Sequence, residues 1–391
     1  MKRNTILLLV VIYLVFIALG LPDALVGSAW NTIRIDLDVP LGAIGVTTMV
    51  AYVMTIFSTY NAPRLLRRFE TKTVTFVSVL LTALAILLMS RVTHYWQMVL
   101  LAMPLGFGAG AIDLSLNHYI ARYYKASHMN YLHSFWGLGV TFGPMVMALT
   151  LRDGAWRIGY VIVGLVLLAI AFFVLLSYRL WEHEPAAERH EQHSDIKTMS
   201  LLNMKGIKSS LAIVLFYVHI ESLAGVFVAS YFYVIRGVSS STAALFTTTY
   251  FLALTVGRIV SGAASHKLHP NRLIVIGEVM ILIAAILLSM NVTIQWYYFL
   301  AVALLGIGSG PVFPNMMFMN QRHFPVEHSS KITSLQMVVG YLGFGALTPL
   351  AGVVFQETSI RYYPFLILIV SVLLILFTIH FLRLRLSNTT T

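Results

Sequence analysis

Apolar stretches of about 20 residues recur along the whole chain, and that is the length an α-helix needs to cross a hydrocarbon core of about 30 Å. Twelve can be marked, at residues 5–29, 44–63, 73–90, 97–120, 130–151, 158–180, 209–235, 242–264, 273–290, 297–320, 332–356 and 364–383. Lipid supplies no hydrogen-bond partners, so each stretch must satisfy its own backbone, and a helix does so. The expected fold class is therefore an all-α membrane protein, with twelve transmembrane helices in two six-helix bundles. Composition agrees: 58% hydrophobic against 10% charged residues cannot clothe water-facing domains. The first stretch follows Met1-Lys2-Arg3 and could be taken for a secretion signal. It is too long for one and lacks a convincing cleavage site, so it is expected to be retained.

The net charge of +11 is a topology signal rather than a nucleic-acid patch. Of the 26 Lys and Arg, only Arg34, Arg91, Arg152, Arg157, Arg236 and Arg361 are assigned to the side away from Lys2 and Arg3. Positive charge gathers on the cytoplasmic side of membrane proteins, which predicts that both termini lie in the cytoplasm. Arg258 is counted with the cytoplasmic set on this reading. Cysteine is absent, which excludes disulfides and thiolate metal sites.

The longest polar interval, 181–208, falls after the sixth stretch and divides the chain into an N-terminal bundle (1–180) and a C-terminal bundle (209–391). A repeat accompanies this division, at an offset near 200 residues. Gly106-Phe107-Gly108-Ala109-Gly110 answers to Gly306-Ile307-Gly308-Ser309-Gly310, and Gly137-Leu138-Gly139 through Gly143-Pro144 answers to Gly340 through Gly345 and Pro349. The basic connections Pro63–Lys72 and Gly257–Arg272 also match in place. One glycine match can arise from close helix packing alone. Three in register point to duplication, and transporters built from duplicated bundles place the substrate site between them.

Ionisable residues inside the apolar stretches cost several kcal/mol unless they face a cavity or a partner. Asp113 directly follows the glycine run and shares a helical face with Asn117. It is read as a proton carrier, with a structural hydrogen bond to a neighbouring helix as the alternative. Asp23 follows Pro22, which interrupts the helical ladder, and is read either as a second proton site or as a solvated end residue. Glu221, two residues after His219, is the third proton-coupling candidate, while Glu278 reads as an end-of-helix residue. Asn130, His133 and Trp136 recur at three-residue spacing, and amide, imidazole and indole suit a polyhydroxylated ligand. Asn117, Asn315 and Gln336 complete the substrate-binding candidates, and Asn320 is a further embedded amide. His183, His190 and His193 with Glu184 and Glu191 read as a charged linker, so no metal is expected. The glycine strings follow no strand, and no nucleophile and base pair stands out. Neither a nucleotide site nor an enzyme is predicted.

The twelve stretches, the central polar interval and the two basic connections resemble the major facilitator superfamily. More narrowly, Gly20-Leu21-Pro22-Asp23, the run Gly108 to Asn117, and Met129-Asn130-Tyr131-Leu132-His133 leading to Gly143-Pro144 resemble bacterial fucose-permease-like transporters. That family carries Glu where Asp113 stands, and its proline soon after the Asn is replaced here by His118 and Tyr119. The resemblance implies a proton symporter for a monosaccharide or similar polar metabolite, with Asp23 and Asp113 at the family's acidic positions. Proton-driven efflux of drugs or amphipathic metabolites is the rival expectation. The expected partners are a small-molecule substrate, protons and the bilayer of the plasma (inner) membrane, with no cofactor and no nucleic acid. The chain is expected to act as a monomer.

Overall fold

A computed structural model of the chain describes residues 3–124, 126–181 and 201–386. The linker histidines and glutamates lie outside the described residues, as do the side chains of Asn130 and Asn320. Among the described residues there is no strand, and twelve helices are long and apolar enough to cross a membrane. The first half contains α1 (Arg3–Gly20), α2 (Leu25–Asp36), α3 (Ile44–Arg68), α4 (Thr71–Met89), α5 (Tyr95–Tyr123), α6 (Ala126–Thr150) and α7 (Trp156–Leu176). The second contains α8 (Ile207–Arg236), α9 (Ser240–Ala264), α10 (Pro270–Ser289), α11 (Gln295–Ser309), α12 (Val312–His323), α13 (Val326–Leu342), α14 (Thr348–Glu357) and α15 (Tyr363–Leu386).

Three spans are interrupted, each next to a proline. Pro22 has no N–H to continue the ladder after α1. The chain there passes to short-range bonds, Asp23 N–H to the Gly20 carbonyl at 3.2 Å and Leu25 N–H to the Pro22 carbonyl at 3.1 Å, before α2 resumes. Pro311 separates α11 from α12 in the same way. Between α13 and α14 a π-helical turn, Gly343–Leu347, precedes Pro349, and the Thr348 N–H bonds to the Gly343 carbonyl. Wide turns of this kind relieve a break inside a helix and often border functional sites.

The two six-helix bundles are packed by the same scheme. In the first, α3 and α4 lie on α5, α4 lies on α7, and α1 lies on α6 and α7. In the second, α9 and α10 lie on α11, α10 lies on α15, and α8 lies on α13 and α15. The glycines of the repeat explain part of that match. A Cβ at Gly106 would fall 1.9 Å from the Ala51 carbonyl oxygen on α3, and one at Gly306 would fall 2.3 Å from the Tyr250 carbonyl oxygen on α9. Each position brings two backbones together where no side chain fits.

Two readings of helix ends change. Helix α3 runs on through Arg68, and α9 runs on to Ala264, so Gly257–Gly262 is helix rather than part of a connection. Arg258 is therefore inside a membrane helix and not in a cytoplasmic loop. Glu278 is the ninth residue of α10, not its end; it is 1% exposed and accepts a hydrogen bond from Thr378 on α15 at 2.6 Å. A central position is tolerable for this carboxyl because a hydroxyl from the adjacent helix meets it.

The halves meet along α2 with α8, α3 with α14, and α6 with α9. Near the start of α2 a Cβ at Gly27 would lie 2.2 Å from the Gly225 carbonyl oxygen, and on the face where α2 ends the Ser241 hydroxyl donates to the Ala148 carbonyl at 2.5 Å. Since the chain has no cysteine, a thiol placed at Ser241 is a clean reporter of this seam. Gly27→Leu is expected to wedge the seam apart, so that Ser241→Cys reacts with a maleimide several times faster than it does without the wedge. An unchanged labelling rate would show that the Gly27 contact does not hold this face closed.

Candidate functional site

Polar side chains from six helices converge between the halves. Asp23 sits on the break between α1 and α2 and is exposed, although Leu21, Pro22, Ala24 and Leu25 around it are buried. The Trp136 indole N–H on α6 donates to the Asp23 carboxylate at 2.8 Å. The Arg258 guanidinium of α9 lies over the same indole, 4.9 Å from the ring centroid. Arg258 Nη2 stands 3.6 Å from Glu221 Oε2 on α8, and the Tyr217 hydroxyl donates to that oxygen at 2.5 Å. Tyr217 and Glu221 are four residues apart, so one helical face presents both. Glu221 is buried, Arg258 is half-buried, and the Arg258 Nε–H is buried without an acceptor among the described residues.

A second group joins α5 to α13. The Asn117 amide donates to Asp113 Oδ1 at 2.8 Å, and the Tyr341 hydroxyl donates to Asp113 Oδ2 at 3.0 Å. Tyr341 stands two residues before the π turn, and Phe344 lies within that turn. Tyr52 on α3 stacks on Phe344 with centroids 4.5 Å apart and lies 6.4 Å from Tyr341. The Asp23 carboxyl is within electrostatic reach of both Glu221 and Asp113, so the two groups form one site. Three carboxyls share the site with one guanidinium. Among the described residues Glu221 pairs with it, and the partners of Asp23 and Asp113 are neutral donors.

The predicted residues divide. Asp23, Asp113, Asn117, Trp136 and Glu221 come together, and His133 lies on α6 with its ring edge-on to Phe16 at 5.8 Å. One face of Trp136 is shared with Arg258, so the indole is a spacer between a cation and a carboxylate. Asn315 is buried in α12 and donates to the Ser261 hydroxyl at 3.0 Å and the Pro311 carbonyl at 2.7 Å. Gln336 is fully buried against Ser210, about two turns before Tyr217 on α8. Both amides tie helices of the second half together, away from the central carboxyls. Arg258, Tyr217, Tyr341 and Tyr52 were not among the predicted residues. Arg258 was detectable, since it lies within the stretch 242–264 and opposes in sign the embedded Glu221.

With this geometry in view, similarity to known proteins is informative. The family model of the Major Facilitator Superfamily matches residues 12–235 and 209–390, and the chain belongs to that superfamily. It is a transporter rather than an enzyme, working by secondary transport with alternating access of its two halves. A relative from Saccharomyces cerevisiae, "Bypass of stop codon protein 6", is 20% identical over 90% of this chain and 78% of its own length. Among solved structures, a point mutant of the nucleoside transporter NupG aligns with TM-score 0.78 at 12% identity, over 98% of this chain and 100% of that one. A bacterial homolog of the human lysosomal transporter Spinster, inward-facing and unoccupied, aligns with TM-score 0.78 at 12% identity, over 98% of each chain.

Removing one member of a buried ion pair strands the other, which typically costs about 3–5 kcal/mol, whereas replacing both members is far milder. Arg258→Met alone and Glu221→Gln alone are each expected to lower the melting midpoint of the purified protein more than the double substitution does. Additive losses in that cycle would mean that the two residues are not partners.

Proposed function

We propose that the protein is a proton-coupled symporter of a monosaccharide or similar polar, hydroxyl-rich metabolite. The observation that carries this reading is the position of Asp113, whose two carboxylate oxygens accept from Asn117 in its own half and from Tyr341 in the other. An ionised carboxylate accepts both bonds; once protonated on Oδ2 it donates instead, and the Tyr341 hydroxyl must turn to accept. Loading a proton on Asp113 therefore reverses the bond between the halves and frees the Tyr341 O–H to donate to a cargo hydroxyl. Asp23 and Glu221 complete the proton-handling set, and Asn117, His133 and Trp136 are the proposed cargo contacts, with Asn130, Asn315 and Gln336 as outlying members. A nucleoside presents ribose hydroxyls of the same kind and belongs in the same screen.

The proposal extends to organisation. Residues 1–180 and 209–391 would rock as two bodies about the linker 181–208, in a monomer placed in the plasma (inner) membrane with both termini in the cytoplasm. The basic ends assigned from the sequence support that orientation.

The stack of Tyr52 on Phe344 favours a second reading, proton-driven efflux of amphipathic compounds. Neutral polar cargo is placed first because the side chains beside the carboxyls, Asn117, His133 and Trp136, are amide, imidazole and indole, which suit hydroxyls.

Purified protein in liposomes, given an imposed pH gradient, separates these. The expected result is accumulation of at least one radiolabelled monosaccharide or nucleoside from a panel, with no gradient-driven movement of a cationic dye. In Asp113→Asn the accumulation should fall to that of protein-free liposomes, while exchange of internal for external cargo persists. Undiminished accumulation in this variant would overturn the assignment of Asp113.

A further inference from the structure

The two halves finish their first membrane span differently, on the same face of the molecule. In the first half α2 stops at Asp36, whose carboxylate pairs with Arg157. The Arg157 guanidinium lies 4.4 Å from the centroid of the Trp156 ring and donates through Nη2 to the Val92 carbonyl at 3.0 Å. At the position 200 residues later, α8 stops at Arg236. Its guanidinium lies 4.4 Å from the centroid of the Tyr298 ring and donates through Nη2 to the Met290 carbonyl at 3.2 Å. Ring, guanidinium and carbonyl are thus repeated in the second half, but the carboxylate is not.

Asn291 stands where a charge would, accepting from Arg236 Nη1 at 2.7 Å. Among the described residues no carboxylate pairs with Arg236, and its Nε–H is buried without an acceptor. A guanidinium carries five donors and strongly favours an anionic acceptor at a partly dehydrated site. Beside Arg236 opens a cavity of about 350 Å³, lined by the Phe232 and Phe246 rings and by Thr293 and Gln295. Its level in the bilayer is marked by its own residues: Arg236 is the last residue of the seventh span, and the tenth span begins with Gln295, the exposed Trp296 and Tyr297. Aromatic side chains of this kind gather where lipid tails meet headgroups.

We propose that this cavity binds the phosphate of an anionic phospholipid, which takes the place beside Arg236 that the Asp36 carboxylate takes beside Arg157. The phosphate oxygens accept from the partly exposed Arg236 guanidinium, and the Thr293 hydroxyl and Gln295 amide line its polar side. Ile235, Val238 and Val292 present an apolar wall to the glycerol and the first methylenes of the acyl chains. A lipid suits such a cavity better than a free phosphate ion, because six of its ten lining residues are apolar or aromatic (Phe232, Ile235, Val238, Phe246, Val292 and Tyr298) and its mouth is at the headgroup level.

The test is thermal unfolding of the full-length protein in mild detergent with added dioleoyl phosphatidylglycerol, dioleoyl phosphatidylcholine or inorganic phosphate. Phosphatidylglycerol is expected to raise the midpoint by roughly 2–4 °C, and the other two additions to leave it in place. Arg236→Gln should lose the shift. Asn291→Asp supplies the missing carboxylate, so it should also lose the shift while melting no lower than the unsubstituted protein without lipid; it decides the matter if Arg236→Gln does not fold. A phosphatidylglycerol shift retained in Asn291→Asp overturns the proposal, as does the absence of any shift in the unsubstituted protein. An equal shift with inorganic phosphate overturns the lipid assignment.

Discussion

A hydrocarbon solvent accepts no hydrogen bond and screens no charge, and every polar group this chain carries into it must find its partner within the protein. Backbone groups do so by forming helices, and at the breaks at Pro22, at Pro311 and before Pro349 short-range or π-type bonds take over. Side chains do so by meeting across helices. Thr378 covers Glu278, Ser210 meets Gln336, and Tyr217 and Arg258 cover Glu221. Asp23 and Asp113 are different, because their partners are neutral donors and among the described residues no cation pairs with them.

That imbalance is what sets this cluster apart from the other helix contacts and underlies the function proposed for it. Glu221 and Arg258 are both in the second half, so their pairing survives rearrangement between the halves. Asp113 divides its two oxygens between the halves, and the Asp23 to Trp136 to Arg258 sequence passes from one half to the other through an aromatic ring. Movement of one half against the other must alter the latter contacts and leave the former alone. Neutral donors suit that task, since breaking a bond to a tyrosine or an indole leaves no stranded charge behind.

The duplicated packing scheme carries a second lesson, about where two similar halves are allowed to differ. The close approaches at Gly106 and Gly306 are kept in both, because backbone contact admits no substitute. The ends of the first and seventh spans are not kept: one presents Asp36 to the guanidinium of Arg157, and the other presents the guanidinium of Arg236 itself, packed on Tyr298. A repeat constrains helix packing strongly and the chemistry at helix ends weakly, so the differences between repeats point to function.

The twelve spans, the division into six and six, the break at Pro22 and the shared face of Asp113 and Asn117 were all legible in the sequence, because each rests on local chemistry: apolar length, a missing N–H, a four-residue spacing. The partners were not. Nothing local tells that Tyr341, more than 200 positions away, closes on Asp113, or that Arg258 turns inward to Glu221. Asn315 and Gln336 carry the same amide as Asn117, and only packing sends them to Ser261 and Ser210. Sequence by itself determined which groups must be satisfied inside the membrane; tertiary structure decided by whom, since in a solvent without partners that choice depends on which helix stands opposite.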